Sequence, residues 1–152
     1  MLKVGQKAPA FTLSDTSGNT IHLKDLLGKK RIVLFFYPKD NTPGCTKEAC
    51  GFNAKIRTFH KRNLAVFGIS PDSVASHQKF ATKFAFQFPL LSDPDHKVAS
   101  AYGAWGPKKL YGREYEGVLR STFVIGLDGK IEMVFDKVKV DTHAEDLLNQ
   151  LP

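Results

Sequence analysis

Cys45 and Cys50 are the residues of this chain whose type and spacing point most directly to chemistry. Two thiols in 152 residues cannot make the disulfide framework of a small secreted domain, which leaves thiol chemistry, metal binding or plain burial. Both lie in Tyr37-Pro38-Lys39-Asp40-Asn41-Thr42-Pro43-Gly44-Cys45-Thr46-Lys47-Glu48-Ala49-Cys50. Thr42 suits an N-cap and Pro43 the first helical position, so Cys45 is expected in the first turn of a helix. A thiol there meets unpaired backbone N–H groups and the positive end of the helix dipole, both of which favour the nucleophilic thiolate. Cys50 lies farther along, so the two thiols should not be equivalent. Five residues on an intact helix put the side chains about 140° apart with a rise of about 7.5 Å, a Cα separation of roughly 8–9 Å. A disulfide needs Cα atoms within about 7 Å. The spacing therefore predicts a pair that cycles between a helical dithiol and a disulfide in which the helix has locally unwound.

The elements around this segment follow from periodicity. Ala10–Leu13 and Thr20–Leu23 alternate apolar and polar residues around a Gly-containing loop, which predicts a small hairpin. Arg31–Tyr37 is an almost continuous apolar run, the mark of a strand covered on both faces. A helical pattern runs from about Thr42 to Lys61, a second buried strand covers Ala65–Ser70, and Asp72 or Ser73 caps a helix through Phe84. This is a βαβ order, and it implies a right-handed parallel crossover. Phe88–Leu91 reads as a short strand and Lys97–Tyr102 as a short helix, followed by a Gly- and Tyr-rich, loop-like segment to Gly117 that holds Trp105 and Tyr111, candidates to flank the site or a docking surface. Ser121–Ile125 and Ile131–Phe135 flank Asp128-Gly129, a hairpin signal. Thr142-His143-Ala144-Glu145 has the pattern of a capping box opening a last helix. The sum is one α/β domain over residues 1–152, a mixed sheet with helices on its faces.

Composition narrows the function. With 42% hydrophobic and 24% charged residues the chain has the profile of a packed globular domain. The net charge of +7 and pI near 9.4 favour anionic partners, but the longest basic run is Lys29-Lys30-Arg31 and the rest is interleaved with acids, so nucleic acid is not expected as the main partner. Met1–Pro9 has no apolar core of a signal peptide, and the longest apolar stretch, Ile32–Tyr37, is far short of the roughly 20 residues that span a bilayer. A cytoplasmic protein without membrane contact is expected. His22, His60, His77, His96 and His143 make no zinc spacing with the cysteines, so no metal is expected.

Pro38-x-x-x-Thr42-x-x-Cys45 resembles the peroxiredoxin active-site motif, and Thr42-Pro43-Gly44-Cys45-Thr46 with Cys50 is similar to the bacterioferritin comigratory protein branch, also called peroxiredoxin Q. Arg120–Ile125, Val4–Phe11 and Phe88–Asp93 also look like that family's sequence, in the right order over nearly the whole chain. The resemblance implies a thioredoxin-like fold with a central mixed β-sheet flanked by helices and an added N-terminal β-hairpin. It implies a thiol peroxidase that reduces hydrogen peroxide and alkyl hydroperoxides, needs no cofactor, acts as a monomer and is recycled by thioredoxin or another dithiol. Cys45 would be the peroxidatic residue and Cys50 the resolving one. Thr42, Arg120 and the backbone N–H groups of Gly44 and Cys45 would donate hydrogen bonds to the reacting atoms, with Pro43 and Gly44 binding substrate and Pro38 shielding the thiolate. Two other readings remain: a thiol–disulfide oxidoreductase, which normally carries Cys-x-x-Cys, and a redox-regulated chaperone or nucleic-acid-binding protein suggested by the charge.

Overall fold

A computed structural model describes residues 1–152. Thr12–Ser14 (β1) and Thr20–His22 (β2) form the expected N-terminal hairpin, and the chain then makes a short helix at Leu23–Leu26 (α1) before the first buried strand, Arg31–Phe36 (β3). The helical stretch after β3 is two helices, Pro43–Ala54 (α2) and Ile56–Lys61 (α3), where the sequence suggests one. The break is at Lys55 (φ −106°, ψ 8°), whose N–H turns back to the carbonyls of Phe52 and Asn53. Ile56 and Phe59 beyond it join the same core as Phe52. Leu64–Ser70 (β4) follows, then Val74–Phe84 (α4), capped by the Ser73 hydroxyl accepting from Ser76 N–H at 3.1 Å.

Leu90–Ser92 (β5) starts two residues later than its apolar run, and Lys97–Ala101 (α5) follows it. The Gly- and Tyr-rich segment is a regular antiparallel hairpin, Trp105–Leu110 (β6) with Arg113–Val118 (β7), separate from the main sheet. Its turn, Tyr111-Gly112, has both residues at positive φ (52° and 76°), a hairpin geometry that sequence patterns associate with Asn or Asp before Gly and not with Tyr. Ser121–Ile125 (β8), Ile131–Phe135 (β9) and His143–Gln150 (α6) complete the chain. The capping box at α6 does not form: Thr142 donates its hydroxyl to Asp146 at 2.8 Å and caps no backbone N–H.

The seven-stranded sheet runs β2-β1-β5-β4-β3-β8-β9. β3, β4 and β5 are parallel neighbours joined through α2, α3 and α4, while β8, β9 and the N-terminal hairpin add antiparallel strands on either side. β3 lies inside the sheet, between β4 and β8, and alternates strictly. Val33, Phe35 and Tyr37 point into the core under α2, α3, α4 and α6, whereas Ile32, Leu34 and Phe36 point into the opposite core with Phe11, Tyr102 and Phe123. Each of these six β3-side residues is fully buried, and burying one such side chain contributes roughly 1.5–3 kcal/mol. The active segment thus leaves the end of a strand buried on both faces.

Candidate active site

The site begins where β3 ends. Thr42 has the extended backbone of an N-cap (φ −90°, ψ 156°), Pro43 occupies the first helical position, and the first intrahelical bond is Thr46 N–H to Thr42 C=O at 2.8 Å. The N–H groups of Gly44 and Cys45 therefore fall before the helical ladder starts. Cys45 sits in the first turn and is 1% exposed, packed with Tyr37, Ala49 and Phe52; Cys50 is half-buried; both are free thiols. Burial pushes the Cys50 thiol up from its ordinary range.

Arg120 comes from the residue before β8, 75 positions along the chain, and donates through Nη2 to Cys45 Sγ at 3.3 Å and through Nη1 to Glu48 Oε1 at 2.6 Å. Glu48 is one helical turn beyond Cys45, on the same face of α2. Its side chain is fully buried, its Oε2 has no hydrogen-bond partner, and burial raises its carboxyl to about 7 against the opposing pull of Arg120. The carboxylate holds one limb of the guanidinium so that the other limb points at sulfur. A planar fork with several donors can make this bridge and a lysine cannot. A Cβ added at Gly44 would stand 3.4 Å from Arg120 Nη2, so the bare glycine leaves the guanidinium its place over the helix start.

Thr42 differs from expectation in one respect. Its hydroxyl donates to Lys39 C=O at 2.8 Å and makes no cap bond. The proton is committed to the loop, and what the oxygen offers to the site is a lone pair. Pro38 and Gly44 are half-buried and Pro43 is exposed. The loop that carries Pro38 and Thr42 is fixed from below by buried Asp40, whose carboxylate accepts from Tyr37 Oη (2.6 Å) and Ser76 Oγ (2.7 Å) and lies 2.7 Å from His77 Nδ1. Asp40 N–H donates to Asp72 Oδ2 at 2.8 Å, and His77 Nε2 lies 3.0 Å from Leu91 C=O. Burial would raise the Asp40 carboxyl, but the bonds from His77 and Tyr37 outweigh it and hold the group below its ordinary value. Asp40, Asp72 and His77 are close enough to suggest metal ligands. Asp40 and His77 are engaged by these protein partners, and Asp72 Oδ2 accepts from Asp40 N–H and the Ser70 hydroxyl, so the cluster acts as a clamp on the loop.

Glu48, Lys108 and His143 belong to the site's surroundings and were not singled out by the sequence. Lys108, from β6, donates to Val118 C=O at 2.9 Å; burial lowers its ammonium, the Arg120 charge adds to this, and Cys45 opposes it. His143, between Phe52 and Phe135, lies 2.8 Å from the Thr122 hydroxyl and is lowered to about 4 by burial. Trp105 stacks flat on His96 with ring centroids 3.7 Å apart, and Tyr111 stands 97% exposed at the hairpin tip.

The model of the AhpC/TSA family matches residues 4–134. The chain belongs to this family and is a peroxiredoxin of the Bcp type. A relative from Helicobacter pylori is 51% identical over 150 residues, covering 99% of this chain and 98% of its own. Peroxiredoxin Bcp of Bacillus subtilis is 45% identical over 150 residues, covering 99% and 95%. Among solved structures, the bacterioferritin comigratory protein of Xanthomonas campestris, described for its alkyl peroxide reduction activity, superposes with a TM-score of 0.89 at 37% identity, covering 97% of this chain and 96% of its own. A PrxQ mutant from Xylella fastidiosa gives a TM-score of 0.92 at 36% identity, covering 99% and 95%. The fold of this peroxiredoxin is accordingly thioredoxin-like, and its enzymatic class is that of a thiol-dependent peroxidase. No helix is long and apolar enough to cross a membrane.

Proposed function

We propose that this peroxiredoxin reduces hydrogen peroxide and alkyl hydroperoxides through Cys45, with Cys50 as its resolving partner. The observation that carries the reading is the single guanidinium of Arg120 bonded at once to Cys45 Sγ and Glu48. The Cys45 thiolate attacks one peroxide oxygen, the O–O bond breaks, and the second oxygen leaves with the bonding pair and takes a proton to become water or an alcohol. Cys45 is left as a sulfenic acid. Charge moves from sulfur to the leaving oxygen during this step, and donors fixed beforehand, Arg120 Nη2 and the N–H groups of Gly44 and Cys45, stabilise it without reorganising. The Thr42 oxygen accepts from the peroxide's own hydroxyl and orients it. Pro43 and Gly44 shape the bound peroxide's seat and Pro38 keeps bulk water from the sulfur.

The Cys50 thiol then attacks the sulfenic sulfur, water leaves, and a Cys45–Cys50 disulfide forms. Thioredoxin or another protein dithiol reduces it. Both cysteines lie within α2, Pro43–Ala54, so the disulfide requires α2 to unwind between them. The alkyl peroxide reduction described for the Xanthomonas campestris protein supports organic hydroperoxides as substrates. We propose that the enzyme works as a monomer in the cytoplasm. The test is a pair of variants assayed with thioredoxin recycling: Cys45→Ser abolishes peroxide consumption, and Cys50→Ser completes one turnover and stops. Equal, near-wild-type cycling in both removes the assignment.

A further inference from the structure

The segment that holds the cysteines is basic, as residues 1–40 also are. Between Asn41 and Ser92 seven basic residues meet only two acids, one buried and the other half-buried and hydrogen-bonded within the fold. Glu48 is buried under Arg120, and Asp72 accepts from Asp40 N–H and the Ser70 hydroxyl. Lys47, Lys55, Arg57, Lys61, Lys79 and Lys83 are exposed. Lys47 is paired with Asp141 at 3.3 Å on the α6 side of α2, where exposed carboxylates resume. The α4 side has none. There a groove of about 380 Å³ runs between the active-site loop and α4, lined in part by Asn41, Ser76, Lys79 and Lys83 and by no acidic residue. Lys83 Nζ donates to Asn41 Oδ1 at 3.1 Å, and Asn53, one turn beyond Cys50 on α2, bonds to Ala85 C=O and Gln87 N–H just past the end of α4. The half-buried Cys50 face of α2 is thereby tied to a rim of cations.

We propose that this α2–α4 face is the docking surface for the protein dithiol that reduces the enzyme, and that this partner presents an acidic surface around its reactive thiols. The inference rests on the Cys45–Cys50 reading above. One partner thiolate attacks a sulfur of the disulfide and releases the other cysteine as a thiolate. The partner's second thiol then breaks the mixed disulfide, so two electrons and two protons pass to Cys45 and Cys50 while the partner is left oxidised. Complementary charge accelerates such an encounter by about 10–10³-fold at low salt and loses its effect as salt rises.

The experiment measures the second-order rate of reduction of protein oxidised beforehand with diamide, using a thioredoxin of net negative charge and, separately, the uncharged dithiothreitol, from low to high salt. With thioredoxin the rate falls steeply with salt, and Lys55→Glu/Lys79→Glu lowers it about tenfold at low salt. The same charge change at Lys30→Glu/Lys130→Glu, at the other end of the sheet, leaves it within about twofold. With dithiothreitol all three proteins are reduced alike. A thioredoxin rate that ignores salt and the Lys55/Lys79 reversal overturns the proposal, as does an equal loss in the Lys30/Lys130 protein. So does a DNA oligonucleotide that binds this face while the reversal leaves thioredoxin reduction intact. Because diamide makes the disulfide without peroxide, failure here is separable from failure of the peroxidase reading, which shows as no peroxide consumption with dithiothreitol as donor.

Discussion

Arg120 and Glu48 meet at 2.6 Å across 72 residues of sequence, with the carboxylate fully buried and the guanidinium's other limb on Cys45 Sγ. The pair converts a long flexible side chain into a fixed donor at the sulfur. Arg120→Lys keeps the charge and loses the bridge, because one ammonium cannot reach both partners in the same plane. Loss of one such preorganised donor costs about 10²–10³ in rate. Single-turnover peroxide reaction of Arg120→Lys should fall in that range while the fold persists by circular dichroism. An unaltered rate contradicts the bridging role.

Two buried groups give opposite dependences of stability on pH. Glu48 is raised from 4.5 to about 7, so its contribution is fully present below about 4.5 and is lost as pH rises through about 7. His143 is lowered from 6.5 to about 4, so its contribution is present above about 6.5 and is lost as pH falls through about 4. Each is worth on the order of 3 kcal/mol at most, and over the shared window they oppose one another. Glu48→Gln should therefore show stability that increases with pH between 4 and 7, and His143→Gln stability that decreases. Urea denaturation across this range checks both. Variants whose profiles parallel the wild type contradict the shifts.

Gly51 follows Cys50 inside α2, and a Cβ there would meet nothing within 4 Å. Glycine in a helix interior costs roughly 0.5–1 kcal/mol relative to alanine, and that cost falls on the stretch that must unwind. Gly51→Ala should stabilise the reduced protein by about that amount and slow disulfide formation about two- to fivefold. The slower resolution exposes the sulfenic acid longer, so mass spectrometry after peroxide challenge should find more sulfinic acid on Cys45. Resolution at the wild-type rate would mean that unwinding of α2 does not limit the step.

Asp40 and His77, both buried, couple the active-site loop to α4. Each removal takes a buried hydrogen-bond partner from the other, at about 1–3 kcal/mol. His77→Leu and Asp40→Ala should each destabilise by that amount, and the double variant by less than their sum, with about 1–3 kcal/mol of coupling. Additive losses in a denaturation cycle would show that the two act independently.

The central strands and the position of Cys45 were legible because they depend on local signals: unbroken apolar runs at Arg31–Phe36 and Leu64–Ser70, and a Thr-Pro step into a helix. Arg120 was legible only through family resemblance, since nothing local aims an arginine before a strand at a sulfur 75 residues away. Glu48 was missed for the same reason. A charged residue within a helix ordinarily marks the solvent face, and its burial follows from the arginine that covers it. The one hint was its place a turn after Cys45 as the sole acid between Asn41 and Pro71. The β6–β7 hairpin was hidden because Tyr111 occupies a left-handed turn position that bulky residues rarely adopt. The donor role expected of Thr42 gave way to a contact three residues back, with the Lys39 carbonyl, that composition cannot reveal.

The central claim is that Cys45 is a peroxide-reactive thiol served by Cys50. Stopped-flow mixing of the fully reduced protein with hydrogen peroxide, followed by intact-mass and peptide analysis, tests it most directly. The account predicts that one equivalent of peroxide is consumed per chain, that a Cys45–Cys50 disulfide appears, and that Cys45→Ser abolishes both. No consumption of peroxide by the reduced protein, or undiminished consumption by Cys45→Ser, contradicts it.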